Sequence, residues 1–131
     1  MAPDAEIVVD EDPGGAVTMK ELDYDAALAR VGGDKALLAE LAEMFESEYP
    51  ILLDGVRTGL RSGNCAAINA AAHQLKGLLA QFGAENARDA AFAVETAGRA
   101  GELKQAADAF TELERLMERL RPDLRAMVLA A

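Results

Sequence analysis

From residue 20 onward, the apolar positions of the chain recur at spacings of three and four rather than two. That period is typical of amphipathic α-helices, in which residues three and four apart share a face. Alanine, leucine, glutamate and arginine dominate this region, and β-branched residues, which favour strands, are sparse. The pattern therefore predicts an all-α fold.

Glycines, prolines and capping residues divide the pattern into separate helices. A short helix within "ELDYDAALARVGGD" is expected to end at Gly32 and Gly33, and Asp34 is expected to cap the next helix. Because Pro50 lacks a backbone donor, this second helix should be long and either kinked or split there. Its predicted apolar face comprises Leu37, Leu38, Leu41, Phe45, Leu52, Val56 and Leu60.

Asn64 is expected to cap a third helix that runs to Phe82, where Gly83 ends it. A fourth helix should cover about residues 84–98, and Pro122 should disturb a fifth helix only late. The predicted seam of the fifth helix comprises Leu103, Ala106, Phe110, Leu113, Met117, Leu120, Leu124 and Met127. Since short connections make neighbouring helices antiparallel, we predict an antiparallel up-down four-helix bundle with a short extra N-terminal helix.

The chain has 131 residues, which suits one domain with a single core. Residues 1–18 are acidic, contain two prolines and two glycines, and show no lasting periodicity. We therefore expect residues 1–18 to be a flexible acidic tail or linker and residues 19–131 to be the helical bundle domain.

The charge of the chain restricts its partners. Thirteen basic and 23 acidic residues give a formal net charge of −10, which argues against binding to nucleic acid or to a membrane surface. Cys65 is the only cysteine, so neither an internal disulfide nor a zinc cluster of cysteines is available. With no signal peptide and no apolar run of membrane-spanning length, we expect a cytoplasmic protein.

The only histidine, His73, lies within "AAHQLKG" on the third predicted helix. At roughly 100° per residue, the large apolar residues of this helix gather opposite His73, so the imidazole should face solvent. A metal site is not expected, because the sequence has no second histidine and no paired E-x-x-H. An incidental surface residue and an exposed nucleophile remain as interpretations, and an imidazole nitrogen can attack phosphorus.

Lys76 and Gly77 lie on the same side of this helix as His73. Lys76 could place its ammonium near phosphoryl oxygens, although a lone surface lysine is more often simply solvated. Gly77 costs the helix about 1 kcal/mol relative to alanine. Its exposed position suggests that it clears space beside the ring for a phosphoryl group and a partner.

The segment "AAHQLKGLLAQFGA", followed by "VETAG", resembles the histidine-containing phosphotransfer (Hpt) domain of bacterial and fungal phosphorelays. The family's pattern is a histidine, then lysine and glycine at plus three and plus four, then Gly-Ala at plus ten and plus eleven. Here these residues are His73, Lys76, Gly77, Gly83 and Ala84, and the resemblance in helix order covers about residues 20–121.

The resemblance implies that His73 accepts a phosphoryl group from a receiver-domain aspartate and donates it to another. It implies that Lys76 stabilises the phosphoryl group, that Gly77 makes space, that Glu95 orients the ring, and that Arg99 contacts phosphate. The competing interpretation of Glu95 is a solvated charge on a helix face, and that of Arg99 is a charge at a helix end.

The same resemblance predicts a phosphoryl carrier and not an enzyme, because the domain would have no ATP-binding or catalytic machinery. It would have no cofactor of its own, and the Mg²⁺ would sit on the partner receiver domain. The expected partners are response-regulator receiver domains, a hybrid sensor histidine kinase, or both, and we expect a monomer.

Leu78, Leu79 and Ala87 depart from the residues that many family members carry. Both leucines lie on the core side of the predicted helix, so we interpret them as variation in packing. Two alternative functions stay open. The domain could be a non-phosphorylated adaptor that binds a kinase or receiver, or the phosphoacceptor module of a chemotaxis-type kinase.

Overall fold

A computed structural model describes residues 21–129, and all regular secondary structure in that range is α-helical. The helices are α1 (Tyr24–Arg30), α2 (Lys35–Ser62), α3 (Cys65–Gln81), α4 (Glu85–Arg99) and α5 (Leu103–Leu129). The predicted tail over residues 1–18 lies outside the described residues, so the domain boundary at residue 19 stays a prediction.

Three of the helices begin at a polar side chain that caps them. Asp23, Asp34 and Asn64 each have an extended or near-extended backbone and accept a hydrogen bond of 3.0 Å from the amide three residues ahead. Such a cap typically stabilises a helix by about 1 kcal/mol. The caps predicted at Asp34 and Asn64 are confirmed.

Both internal prolines lie within continuous helices. α2 runs through Pro50 for 28 residues, so a split at that position is wrong, and α5 runs through Pro122. Both prolines are exposed. Because a proline has no backbone N–H, one helical carbonyl loses its donor. On the exposed side of a helix that carbonyl can bond to water, which explains why neither helix is interrupted.

The four long helices close into a ring of neighbours. α2 packs against α3 and α5, α4 packs against the same two helices, and α1 lies against α2. Connections of only two or three residues join α2 to α3, α3 to α4 and α4 to α5, which makes consecutive helices antiparallel. The predicted bundle with a short additional N-terminal helix is confirmed.

The core runs along the axis of the bundle. Phe45 and Phe82 stack with ring centroids 5.1 Å apart, and Tyr49 meets Phe45 edge to face. Leu37 and Leu103 were predicted to join this core, but they are 40% and 38% exposed. Both lie in the first turn of a helix, at an end of the bundle where few neighbours cover them.

The turn between α3 and α4 is held against the start of the described chain. Gly83 has φ +68°, and a Cβ there would lie 2.6 Å from the Cβ of Asp23. The amide of Asp23 donates to the carbonyl of Phe82 at 3.3 Å. Glycine is required at this turn both for its backbone conformation and for the close approach.

Candidate functional site

His73 lies on the outer face of α3, with 65% of its side chain exposed. The opposite face of the helix is anchored in the core by fully buried residues, which fixes the direction in which the imidazole points. These anchors are Ile68, Ala72, Leu75 and Leu79. The sequence-based prediction of a solvent-facing ring therefore agrees with the structure.

Glu95 on α4 is the centre of the site, because one buried carboxylate meets three basic side chains. Its side chain is 4% exposed, and its Oε2 lies 2.8 Å from His73 Nδ1 and 3.2 Å from an Arg99 guanidinium nitrogen. Lys76 Nζ lies 2.8 Å from Oε1 and forms an ion pair with it. A buried carboxylate is stable only with such partners.

The pKa of Glu95 reflects a competition between burial and these contacts. Burial by itself raises the pKa of this carboxyl, but the contacts from Lys76 and His73 outweigh burial and hold the pKa below its ordinary value. Glu95 is therefore ionised near neutral pH.

An ionised carboxylate can only accept hydrogen bonds, which determines the tautomer of a neutral His73. Nδ1 must carry the proton that it donates to Glu95, so Nε2 keeps its lone pair. Because the ring is mostly exposed, that lone pair is available to a group arriving from solvent. The arrangement is suited to nucleophilic attack by Nε2.

Gly77 and a groove lie beside the histidine. Gly77 is exposed, and a Cβ added to it would meet no atom of the described chain within 4 Å. The groove next to it has a volume of about 490 Å³. Its lining residues are Lys76, Gly77, Ala80, Arg88, Asp89 and Phe92.

Close contact between α3 and α4 brings His73 and Lys76 on α3 near Glu95 on α4. Gly98 of α4 lies so near Ile68 that a Cβ would come within 2.9 Å of Ile68 Cγ2. One residue further along α3, the Asn69 side-chain amide donates to the backbone carbonyl of Glu95 at 3.0 Å. These contacts fix the position of Glu95 relative to His73.

Comparison with known proteins gives the family. The family model described as Hpt domain matches residues 40–123, well over half of the chain. The chain belongs to the Hpt domain family. No curated protein matches the chain.

A solved structure agrees with this assignment at the level of the fold. The crystal structure of histidine-containing phosphotransfer protein B (HptB) from Pseudomonas aeruginosa PAO1 superposes with a TM-score of 0.79. The two chains are 20% identical, and the match covers 87% of this chain and 99% of that one. The Hpt domain described here therefore shares the helical bundle of that protein.

The Hpt domain brings together all the residues predicted for its site. One side of α3 carries His73, Lys76 and Gly77. Arg99 lies on α4 and bonds to Glu95 of the same helix. Glu95 had a competing interpretation as a solvated surface charge, which its burial excludes. Leu79 is buried and Leu78 packs against the core, in agreement with their interpretation as packing residues, and Ala87 is buried as well.

Sequence reasoning missed two residues of the site, Asn69 and Phe92. The side chain of Phe92 is 50% exposed, and its ring lies 4.9 Å from Lys76 Nζ. Phe92 and Glu95 are three residues apart on α4, so a helical wheel would have placed them on one face. The packing of α3 against that face is not visible in the sequence.

Within residues 21–129, no group of three or more His, Cys, Asp or Glu side chains is placed to hold a metal ion. In the same range, no helix combines the length and the apolar character that crossing a membrane requires.

Proposed function

We propose that this Hpt domain carries a phosphoryl group on His73 and relays it between the aspartates of receiver domains in two-component signalling. The observation that carries the proposal is the exposed imidazole whose Nδ1 is bonded to a buried carboxylate at 2.8 Å. Membership of the Hpt family supports the same chemistry.

The proposed step is a displacement at phosphorus. The Nε2 lone pair of His73 attacks the phosphorus of a receiver aspartyl phosphate, the P–N bond forms, and the P–O bond to the aspartate breaks. The aspartate leaves as a carboxylate. Transfer to the next receiver is the reverse reaction with a different aspartate.

Glu95 stabilises the phosphorylated state of the ring. After Nε2 has bonded to phosphorus, the ring still carries the Nδ1 proton and therefore gains a positive charge. That charge faces the Glu95 carboxylate, which is ionised and lies within hydrogen-bonding distance of Nδ1. Glu95 thus orients the ring and offsets its charge, as a carboxylate does for a catalytic histidine.

Lys76 and Arg99 supply positive charge near the transferred group. Both are ion-paired with Glu95 and both reach the surface, with 27% and 62% of their side chains exposed. The exposed part of each cationic group can therefore contact the phosphoryl oxygens while the group stays paired with Glu95. The Mg²⁺ that neutralises the remaining charge is expected on the receiver domain.

The partners proposed are response-regulator receiver domains, a hybrid sensor histidine kinase, or both. We propose that the domain acts as a monomer in the cytoplasm, where the single thiol of Cys65 would stay reduced. It is a carrier without its own catalytic cycle, because the receiver supplies the acidic pocket and the metal.

The test is phosphoryl transfer between purified proteins. Receiver domains phosphorylated on aspartate are mixed with wild-type protein and with His73→Gln in the presence of Mg²⁺. We expect wild type to gain one phosphate that is labile in acid and stable in alkali, and His73→Gln to gain none. Equal labelling of both proteins would overturn the assignment of His73.

Two additional measurements, receiver binding and incubation with a separate kinase catalytic domain and ATP, separate the alternative functions. A non-phosphorylated adaptor would bind a receiver with or without His73 and gain no phosphate. A chemotaxis-type phosphoacceptor module would be labelled by a separate kinase catalytic domain with ATP but not by any phosphorylated receiver. Either result would replace the relay function.

A further inference from the structure

Phe92 is an exposed aromatic side chain directly beside the proposed phosphoryl site. It lies on α4, three residues before Glu95, and half of its surface is open to solvent. The Lys76 ammonium is placed over its ring, with Nζ 4.9 Å from the ring centroid. That distance is within the range of a cation–π contact.

Lys76 is therefore held from two sides. The Glu95 carboxylate lies 2.8 Å from Nζ on one side, and the ring face of Phe92 lies on another. A lysine side chain has four rotatable bonds and loses much conformational freedom when it is fixed. Two contacts from one helix reduce that freedom before any phosphoryl group arrives.

The two contacts differ in what they do to the charge of Lys76. Glu95 carries a full negative charge, which competes with a phosphoryl group for the ammonium. The Phe92 ring is uncharged, so it attracts the ammonium through its quadrupole and leaves the positive charge available to the phosphoryl oxygens.

We propose, on the basis of the function proposed above, that Phe92 is a positioning residue for phosphoryl transfer. It holds the Lys76 ammonium beside His73, so that phosphorus is attacked with a positive charge already in place. Phe92 does not touch the transferred group in this account, and it acts through Lys76.

A small phosphodonor tests this role without a docking partner. With phosphoramidate, His73 Nε2 attacks phosphorus, the P–N bond of the donor breaks, and the departing nitrogen takes a proton from water to leave as ammonia. We expect Phe92→Leu, which keeps an apolar side chain but removes the ring, to slow phosphorylation of His73 about two- to fivefold. Phe92→Tyr keeps the ring face and should restore a rate close to that of wild type.

Two controls accompany these variants. Ile51→Ala removes another exposed apolar side chain, on α2 and not in the lining of the groove beside Gly77, and should leave the rate unchanged. Because Phe92 is half exposed, Phe92→Leu should remain folded, which its helical circular dichroism and urea midpoint will show.

A double-mutant cycle shows whether Phe92 acts through Lys76. In a Lys76→Ala background, Phe92→Leu should cause no further loss of rate. In addition, the NMR signals of the Lys76 side-chain methylenes should show a ring-current shift in wild type and Phe92→Tyr that Phe92→Leu lacks. A merely structural role of Phe92 would not predict either result.

The outcomes separate this role from the proposed function itself. If wild type is phosphorylated on His73 and Phe92→Leu reacts equally fast, Phe92 has no positioning role and the relay function stands. The same conclusion follows if Phe92→Leu slows the reaction equally with and without Lys76. If wild type accepts phosphate from neither phosphoramidate nor a receiver, both proposals are overturned.

Discussion

Gly77 lies inside α3, one turn before its end, where glycine costs about 1 kcal/mol relative to alanine. A Cβ at this position would meet no atom of the described chain within 4 Å. The contacts of the described residues therefore give no reason for glycine at this position. We propose that the reason is the space beside His73 that a phosphoryl group and a receiver would occupy.

We predict that Gly77→Ala stabilises the protein and impairs its function. Urea unfolding should show a free energy of unfolding higher by roughly 0.5–1 kcal/mol. Transfer from a phosphorylated receiver should slow by roughly 5- to 150-fold, if the added methyl group costs about 1–3 kcal/mol at the interface. Unchanged transfer would show that the partner does not need this space.

Glu95 links the site to the dependence of stability on pH. Its pKa in the folded state is lower than its ordinary value of 4.5, so folding stabilises the ionised form. That contribution is fully present above the ordinary pKa and is lost as the pH falls through the lowered pKa of the folded state.

We predict that the difference in unfolding free energy between wild type and Glu95→Gln is largest above pH 4.5 and shrinks as the pH falls below it. Urea unfolding of both proteins over a pH series provides the measurement. Glu43→Gln is the matched control, because Glu43 is an exposed carboxylate on α2 outside the site. A difference for Glu95→Gln that stays constant with pH would contradict the proposed cause.

At the scale of helices, α2, α3 and α4 meet around one side chain. Ile68 is fully buried, and both Gly59 of α2 and Gly98 of α4 approach it so closely that a Cβ would come within 3 Å of its side chain. The small residues on the two flanking helices allow α3 to lie near enough to α4 for Glu95 to reach His73 and Lys76.

We predict that Gly98→Ala lowers the free energy of unfolding by about 1–2 kcal/mol, because overpacking at Ile68 outweighs the better helix propensity of alanine. The cost should shrink when Ile68→Ala is also present, as a double-mutant cycle in urea would show. Gly77→Ala is the matched control, since the same substitution there should have the opposite sign. Stabilisation by both substitutions would exclude tight packing at Gly98.

At the scale of the whole molecule, the fold extends beyond residues 40–123, the part that the family model matches. Leu22, ahead of α1, is 5% exposed within the core. The Glu21 carboxylate pairs with Arg119 of α5 at 3.2 Å, and Arg30 donates to the carbonyl of Gln81 at 3.2 Å. The segment around α1 thus ties the end of α3 to the C-terminal half of α5.

We predict that Leu22→Ala lowers the free energy of unfolding by about 2–4 kcal/mol, as expected for a leucine removed from a core. Leu129→Ala, which changes a side chain that is 70% exposed, should have an effect within about 0.5 kcal/mol. If both substitutions change the free energy of unfolding equally and by little, Leu22 and the segment around α1 do not belong to the cooperative core.

Much of this architecture could be predicted because its signals are local. Asp34 and Asn64 cap helices wherever a helix follows them, and Gly83 ends α3 through its own backbone conformation. Leu37 and Leu103 were misplaced because apolar spacing identifies the face of a helix but not where the covering neighbour ends. Pro50 was similarly ambiguous, since only its exposed position decided that α2 continues.

The sequence by itself determined the helices and the outward direction of His73, because helical periodicity and capping depend on residues only a few positions apart. Only the tertiary structure decided that Glu95 is buried and shared by three basic groups, and that Phe92 lies over Lys76. Those contacts join α3 to α4, and they depend on the rotation and register of two helices, which packing around Ile68 sets and no local pattern encodes.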